Sequence, residues 1–155
     1  MSLDYIVASL PSLTFGAKAP LSREAFAALI GGEAAREKLL APFHDLETQI
    51  KNAIAFARTG ANDHARPADG CSLYWRDRVL KCFAEKDVAA RDELIDRVWW
   101  DAAGEMASPS DPLGKGALLA YAIRLDIALR RDKISSVAGR ESFDRLTAET
   151  KVNFP

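Results

Sequence analysis

Leu118-Leu119-Ala120-Tyr121-Ala122-Ile123-Arg124-Leu125-Asp126-Ile127-Ala128-Leu129 is the most apolar stretch of the chain. Leu118, Tyr121, Ala122, Leu125, Ala128 and Leu129 recur at steps of three and four, so they share one wide stripe of a helix. Asp111-Pro112 upstream reads as an N-cap followed by proline at the first helical position. The predicted helix therefore runs from there to about Lys133. A helix this apolar belongs at the centre of a core. Arg130, Arg131 and Lys133 would sit at its C-terminal end, where cations suit the helix dipole.

Weaker helical patterns surround this segment. Before it, Met106 to Gly116 is a break containing two prolines and two glycines. Asp87 is placed to cap a helix reaching about Ala103, with Leu94, Ile95, Val98, Trp99 and Ala102 on its apolar face and a Glu93–Arg97 pair outside. A helix from about Ser72 to Ala84 is expected to bury Tyr74, Trp75, Val79, Cys82 and Phe83. Residues 59–70 read as a loop by composition.

Further upstream, Phe43, Leu46, Ile50, Ile54 and Ala57 mark a helix over about 43–58 that Gly60 ends, with Glu47 and Lys51 paired at i,i+4. A short helix starts at Glu33 and is limited by Pro42. Residues 20–31 carry a Ser22 N-cap, a Leu21–Phe26 hydrophobic staple and a Gly31-Gly32 stop. Leu3 to Leu10 is either a short strand or a helical turn. After the apolar stretch a last helix is expected from about Arg140, with Phe143 and Leu146. The reading is all-α: an irregular bundle of about six to seven helices, with one short N-terminal strand as the open alternative. A single domain over 1–155 is expected, two lobes (1–58 and 71–155) joined by 59–70 being the variant.

Composition narrows function. The 155 residues are 48% hydrophobic, which argues against disorder. Lys plus Arg number 21 against 22 Asp plus Glu, so the basic excess that phosphate contacts require is absent overall. No apolar run approaches the ~20 residues that span a bilayer, and Met1-Ser2-Leu3-Asp4 lacks a secretory leader's basic and apolar regions. Cys71 and Cys82 read as reduced, buried residues about three turns apart on one helix, too far to bridge. A cytoplasmic protein is expected.

Catalytic and metal-binding patterns are thin. His44-x-x-Glu47 runs opposite to the Glu-x-x-His of a di-iron bundle and has no second copy. His64, Cys71 and Cys82 match no zinc spacing. Ser72, Ser108, Ser110, Ser135 and Ser136 fall where caps and turns are expected, and no nucleophile elbow surrounds them. Gly114-Lys115-Gly116 is too short for a phosphate loop. No cofactor or metal site is therefore expected. Asp126, inside the apolar helix, is read as pairing with Arg130 at i,i+4, or, if buried, with Arg124 or a tyrosine hydroxyl. A site assembled from Asp126, Tyr121 and His44 is the enzymatic alternative. In Trp99-Trp100, Trp99 is expected inward and Trp100 at the boundary, where an exposed tryptophan would serve an interface.

Three stretches carry a family resemblance. They are Tyr5-Ile6-Val7-Ala8-Ser9-Leu10-Pro11-Ser12-Leu13-Thr14-Phe15 with Ala19 to Phe26; Ile50-Lys51-Asn52-Ala53-Ile54; and Asp96-Arg97-Val98-Trp99-Trp100 with Leu118 to Leu125, Arg130 or Arg131, Gly139 and Phe143. In this order they resemble a bacterial family of uncharacterised proteins encoded in V-type (A/V-type) ATPase operons, at the place where the gene for the C/d-type component would be expected. The opening is more distantly similar to the V-type ATPase C/d family itself, whose helical members seat the rotor shaft on the membrane ring. The chain departs from that family in lacking three full lobes, its middle being shortened around 59–70.

The resemblance implies a non-catalytic, C/d-like component or assembly factor. Its partners would be V-type ATPase central-stalk or membrane-ring subunits, with peripheral attachment to the inner membrane through the complex and no nucleic acid. Tyr5, Leu10, Phe15, Trp100 and Arg131 are the candidate partner-binding residues. A stand-alone helical adaptor for another protein is the alternative.

Overall fold

The computed structural model describes residues 2–61, 65–66 and 72–152, with side chains 136–143 and 147–152 left aside, and all its regular elements are helical. They are α1 (Leu3–Ser9), α2 (Arg23–Ile30), α3 (Glu33–Leu40), a 3-10 turn (Ala41–Phe43), α4 (His44–Thr59), α5 (Leu73–Cys82), α6 (Val88–Gly104) and α7 (Lys115–Val152). The protein is all-α, and the N-terminal segment is a helix rather than a strand. Ser2 caps it through its side chain to the Tyr5 N–H.

Side-chain caps open four helices, each satisfying an orphan backbone N–H. Besides Ser2, Ser22 accepts from the Ala25 N–H at 3.1 Å, Ser72 from Trp75 and Asp87 from Ala90. Gly31 (φ 108°) and Gly60 (φ 72°) end α2 and α4 in the left-handed region that a side chain disfavours. Leu21 and Phe26 meet in the core as the staple pattern requires.

α7 organises everything else. Leu119, Ile123 and Ile127 step by four along one face and join Phe43, Ile50, Ala53, Trp75, Val79, Ile95, Val98 and Trp100 in the larger core. Leu118, Ala122 and Leu125 line another face with Phe26, against Ile6, Val7 and Leu10 of the N-terminal segment and Leu39 and Leu40 of α3. A helix clad on two faces must be apolar on both, which is why residues 118–129 read as nearly continuously hydrophobic. The larger core takes residues from both sides of the 59–70 segment. α6 lies antiparallel to α7: Trp100 meets Arg124, and Asp96 meets Arg130 and Arg131.

Several expectations are corrected. α7 does not begin at Asp111-Pro112. Those residues form a turn closed by Gly114 N–H to Asp111 C=O at 3.2 Å, and α7 starts at Lys115. Gly116 sets that start, because a Cβ there would lie 2.2 Å from the Met106 carbonyl oxygen. The helix then continues unbroken to Val152, so no separate helix starts near Arg140, Ser135 and Ser136 are helical, and Arg130, Arg131 and Lys133 lie mid-helix. Tyr74 (62% exposed) and Leu94 (44%) are not core residues, and Phe83 is half-buried. α5 spans Leu73–Cys82, and Cys71, like His64, lies outside the described residues.

Candidate functional site

A groove of about 710 Å³ opens between α4 on one side and α6 and α7 on the other. Its apolar lining comes from Leu40 and Phe43, from Ile54 and Ala55 of α4, from Ile95 and Trp99 of α6, and from Ile123 and Ile127 of α7. α4 packs on α5, α5 on α6 and α6 on α7, while the 3-10 turn joins α3 to α4. The helices thus form an arc whose two ends flank the groove. Pro42 contributes locally: it lacks the N–H that a continuing α-helix would use, and the chain tightens into the 3-10 turn that brings Phe43 under the groove. The Phe43 and Trp99 rings meet edge to face at 6.2 Å.

Two charge clusters stiffen this region. Arg36, 2% exposed, reaches from α3 to hydrogen-bond the Asp126 carboxylate of α7, and also lies 3.4 Å from Glu37 and 3.6 Å from Glu33. Burial pushes the Asp126 carboxyl above the usual carboxylate range, and the Arg36 guanidinium pulls it only part of the way back. Asp96, 4% exposed on α6, accepts from Arg130 and, at 3.0 Å, from Arg131. On the α4 rim, Lys51 donates to Glu47 at 2.8 Å, the i,i+4 pair expected from sequence.

The reading of Asp126 is corrected: its partner is Arg36, ninety residues away, and neither Arg130 nor Arg124. Arg130 turns to Asp96, and the Arg124 Nε donates to the Trp100 carbonyl at 3.0 Å. Arg36 and Asp96 were both missed. The available signals were facial: Arg36 lies three and four residues before Leu39 and Leu40, and Asp96 three and four before Trp99 and Trp100. Those spacings put each on a buried side of its helix.

The tryptophan assignment is reversed. Trp100 is the buried one (8% exposed), held edge to face against Phe15 at 5.5 Å and under Arg124 at 5.1 Å, while Trp99 is half-buried and lines the groove. Three of the expected partner residues come together here, facing inward. The Phe15 ring lies against Trp100, with Arg97 at 4.0 Å and Arg131 at 4.9 Å from its centroid. This stack clamps the N-terminal segment onto α6 and α7, helped by Ala19 N–H to Asp132 at 2.9 Å. Leu10 packs on the α7 face that carries Leu125, and Tyr5 is 61% exposed.

Of Asp126, Tyr121 and His44, only Asp126 lines the groove. Tyr121 stacks on Phe26 at 5.7 Å and donates its hydroxyl to the Pro11 carbonyl at 2.7 Å. His44 is exposed at the start of α4 and does not line the groove that Asp126 lines. No family model matches the chain, and neither a curated protein nor a solved structure matches it. Among the described residues no three His, Cys, Asp or Glu side chains are grouped to hold a metal ion. What the groove offers chemically is apolar surface with charged margins.

Proposed function

We propose that the protein is a non-catalytic docking module whose groove between α4, α6 and α7 receives a helix of a partner protein. The groove itself carries this reading. Its floor is aromatic and aliphatic, its volume is about 710 Å³, and the side chains at its margins are charged. Helix-in-groove recognition uses such a surface, with apolar anchors at helical spacing entering between neighbouring helices. Trp99, half-buried on the α6 wall, offers aromatic area of the kind that dominates many interfaces.

The partner we propose is a central-stalk or membrane-ring component of a V-type ATPase, an assignment that rests on the sequence resemblance alone. The protein would then act as a C/d-like component or assembly factor and touch the membrane only through the complex. No helix among the described residues is long and apolar enough to cross a membrane.

The test is capture of partners on the tagged full chain from its native cells after membrane solubilisation, alongside Ala55→Arg, which fills the groove from α4. The expected result is recovery of ATPase subunits by the wild type and their loss with the variant, helicity and melting being unchanged. Recovery of other proteins that Ala55→Arg also loses would keep the docking role and favour a stand-alone adaptor. Partners retained by Ala55→Arg would refute groove docking.

A further inference from the structure

The charges around the groove are not equivalent. Glu47 pairs with Lys51, Asp96 with Arg130 and Arg131, and Asp126 with Arg36. Two charged lining residues remain, Arg58 and Asp92, and among the described residues neither is in an ion pair. They stand on opposite walls. Arg58 ends the α4 wall, where Lys51 and Arg58 face a single acid, Glu47. Asp92 stands on α6, on the same side as Asp126 and the paired Asp96 and Arg130. The apolar strip runs between these margins.

Resting on the docking reading, we propose that the partner is an amphipathic helix with an acidic edge and a basic edge flanking its apolar stripe. The acidic edge lies along α4 to meet Arg58, and the basic edge lies along α6 to meet Asp92. From Glu47 to Arg58 the α4 wall spans eleven residue steps, roughly 16 Å, so the occupant needs about three to four turns. Its apolar residues recur at i, i+3, i+4 and i+7, matching the ridges that helix surfaces present. A helix acidic on both edges would set like charge against Asp92, and one basic on both edges would set it against Arg58. Rim charges of this kind select between partners more than they add affinity.

Three synthetic helical peptides of about 16 residues test this. They share one apolar face and differ only in their edges: one acid and one base, both acidic, or both basic. Binding to the full chain is read by fluorescence anisotropy at physiological salt. The mixed-edge peptide is expected to bind wild type about fivefold more tightly than either uniform one. Arg58→Glu should shift the preference to the doubly basic peptide, and Asp92→Lys to the doubly acidic one. Both positions are exposed, so the variants should retain the wild-type melting curve. Equal binding of the three peptides, or preferences that ignore the two substitutions, would overturn the edge assignment while leaving groove docking in place. Failure of all three to bind would overturn the edge assignment and count against groove docking as well.

Discussion

Replacing Arg36 by leucine should destabilise the protein through the carboxylate it leaves behind. Arg36 is 2% exposed and hydrogen-bonded to Asp126, whose side chain is 39% exposed. Removing one partner of a fully buried pair costs about 3–5 kcal/mol, because the other charge is stranded. Asp126 keeps some contact with water, so screening lowers the expectation to about 2–3 kcal/mol. Part of that is lost packing of the arginine stem. The assay is urea unfolding at pH 7, with the double variant Arg36→Leu/Asp126→Leu as the companion. The double variant should lie within about 1 kcal/mol of wild type, because no buried charge remains unpaired.

The pH dependence has a definite sign. Burial already raises the Asp126 carboxyl in the folded state, so its contribution is most favourable below the unfolded-state value and is lost as pH rises through the folded one. Without Arg36 the folded value climbs further. The deficit of Arg36→Leu should therefore shrink between pH 7 and about pH 4, as the stranded carboxylate takes up its proton. A single-variant cost under about 1 kcal/mol, or a double variant no better than the single, would show that no charge is stranded.

Other substitutions probe the framework. Leu125→Ala, at a position 1% exposed on α7, should cost about 2–5 kcal/mol by denaturant unfolding; under about 1 kcal/mol would place that face outside the core. Gly116→Ala should destabilise despite alanine's better helix propensity, because the new Cβ would meet the Met106 carbonyl; a raised melting temperature would contradict this contact. Ser22→Ala should cost about 0.5–2 kcal/mol through loss of the α2 cap, and an unchanged midpoint would deny the capping role. Cys82 is buried, its thiol is pushed up by burial, and it donates to the Arg78 carbonyl; in a Cys71→Ser background its reaction with a thiol reagent should follow unfolding, and fast labelling of the native protein would contradict its burial.

The elements most legible in the sequence were those set by local chemistry. Ser22, Asp87, Gly31 and Gly60 act through backbone groups within a few residues of themselves, and each ends or begins a helix where its residue type indicates. The central role of α7 was legible for a related reason: an apolar stripe too wide for one face needs two packing surfaces. The start of α7 was not. Asp111-Pro112 has cap chemistry, but the chain turns there and packs Gly116 against Met106, a contact that local pattern does not encode.

The site was harder to read because it is a relation between distant segments. Arg36 and Asp126 lie ninety positions apart, and i,i+4 spacing offered Arg130 as a nearer partner for the aspartate. The Trp99–Trp100 reversal has the same origin. Both indoles lie toward packed surfaces of α6, and which one is enclosed depends on Phe15 arriving from the N-terminal segment to cover Trp100. The groove was invisible in the sequence: Ile54 and Ile95 each look like ordinary core positions of their own helices. Only the arc of α4 to α7 leaves a strip between them open.

Site-specific photocrosslinking in the native cells is the sharpest test of groove docking. A photoreactive residue at Lys51, exposed on the α4 rim, should crosslink to the partner. The same residue at Tyr5, exposed on the N-terminal helix, should not. Crosslinks from Tyr5 with none from Lys51 would move the interface to the N-terminal segment and contradict docking in the groove.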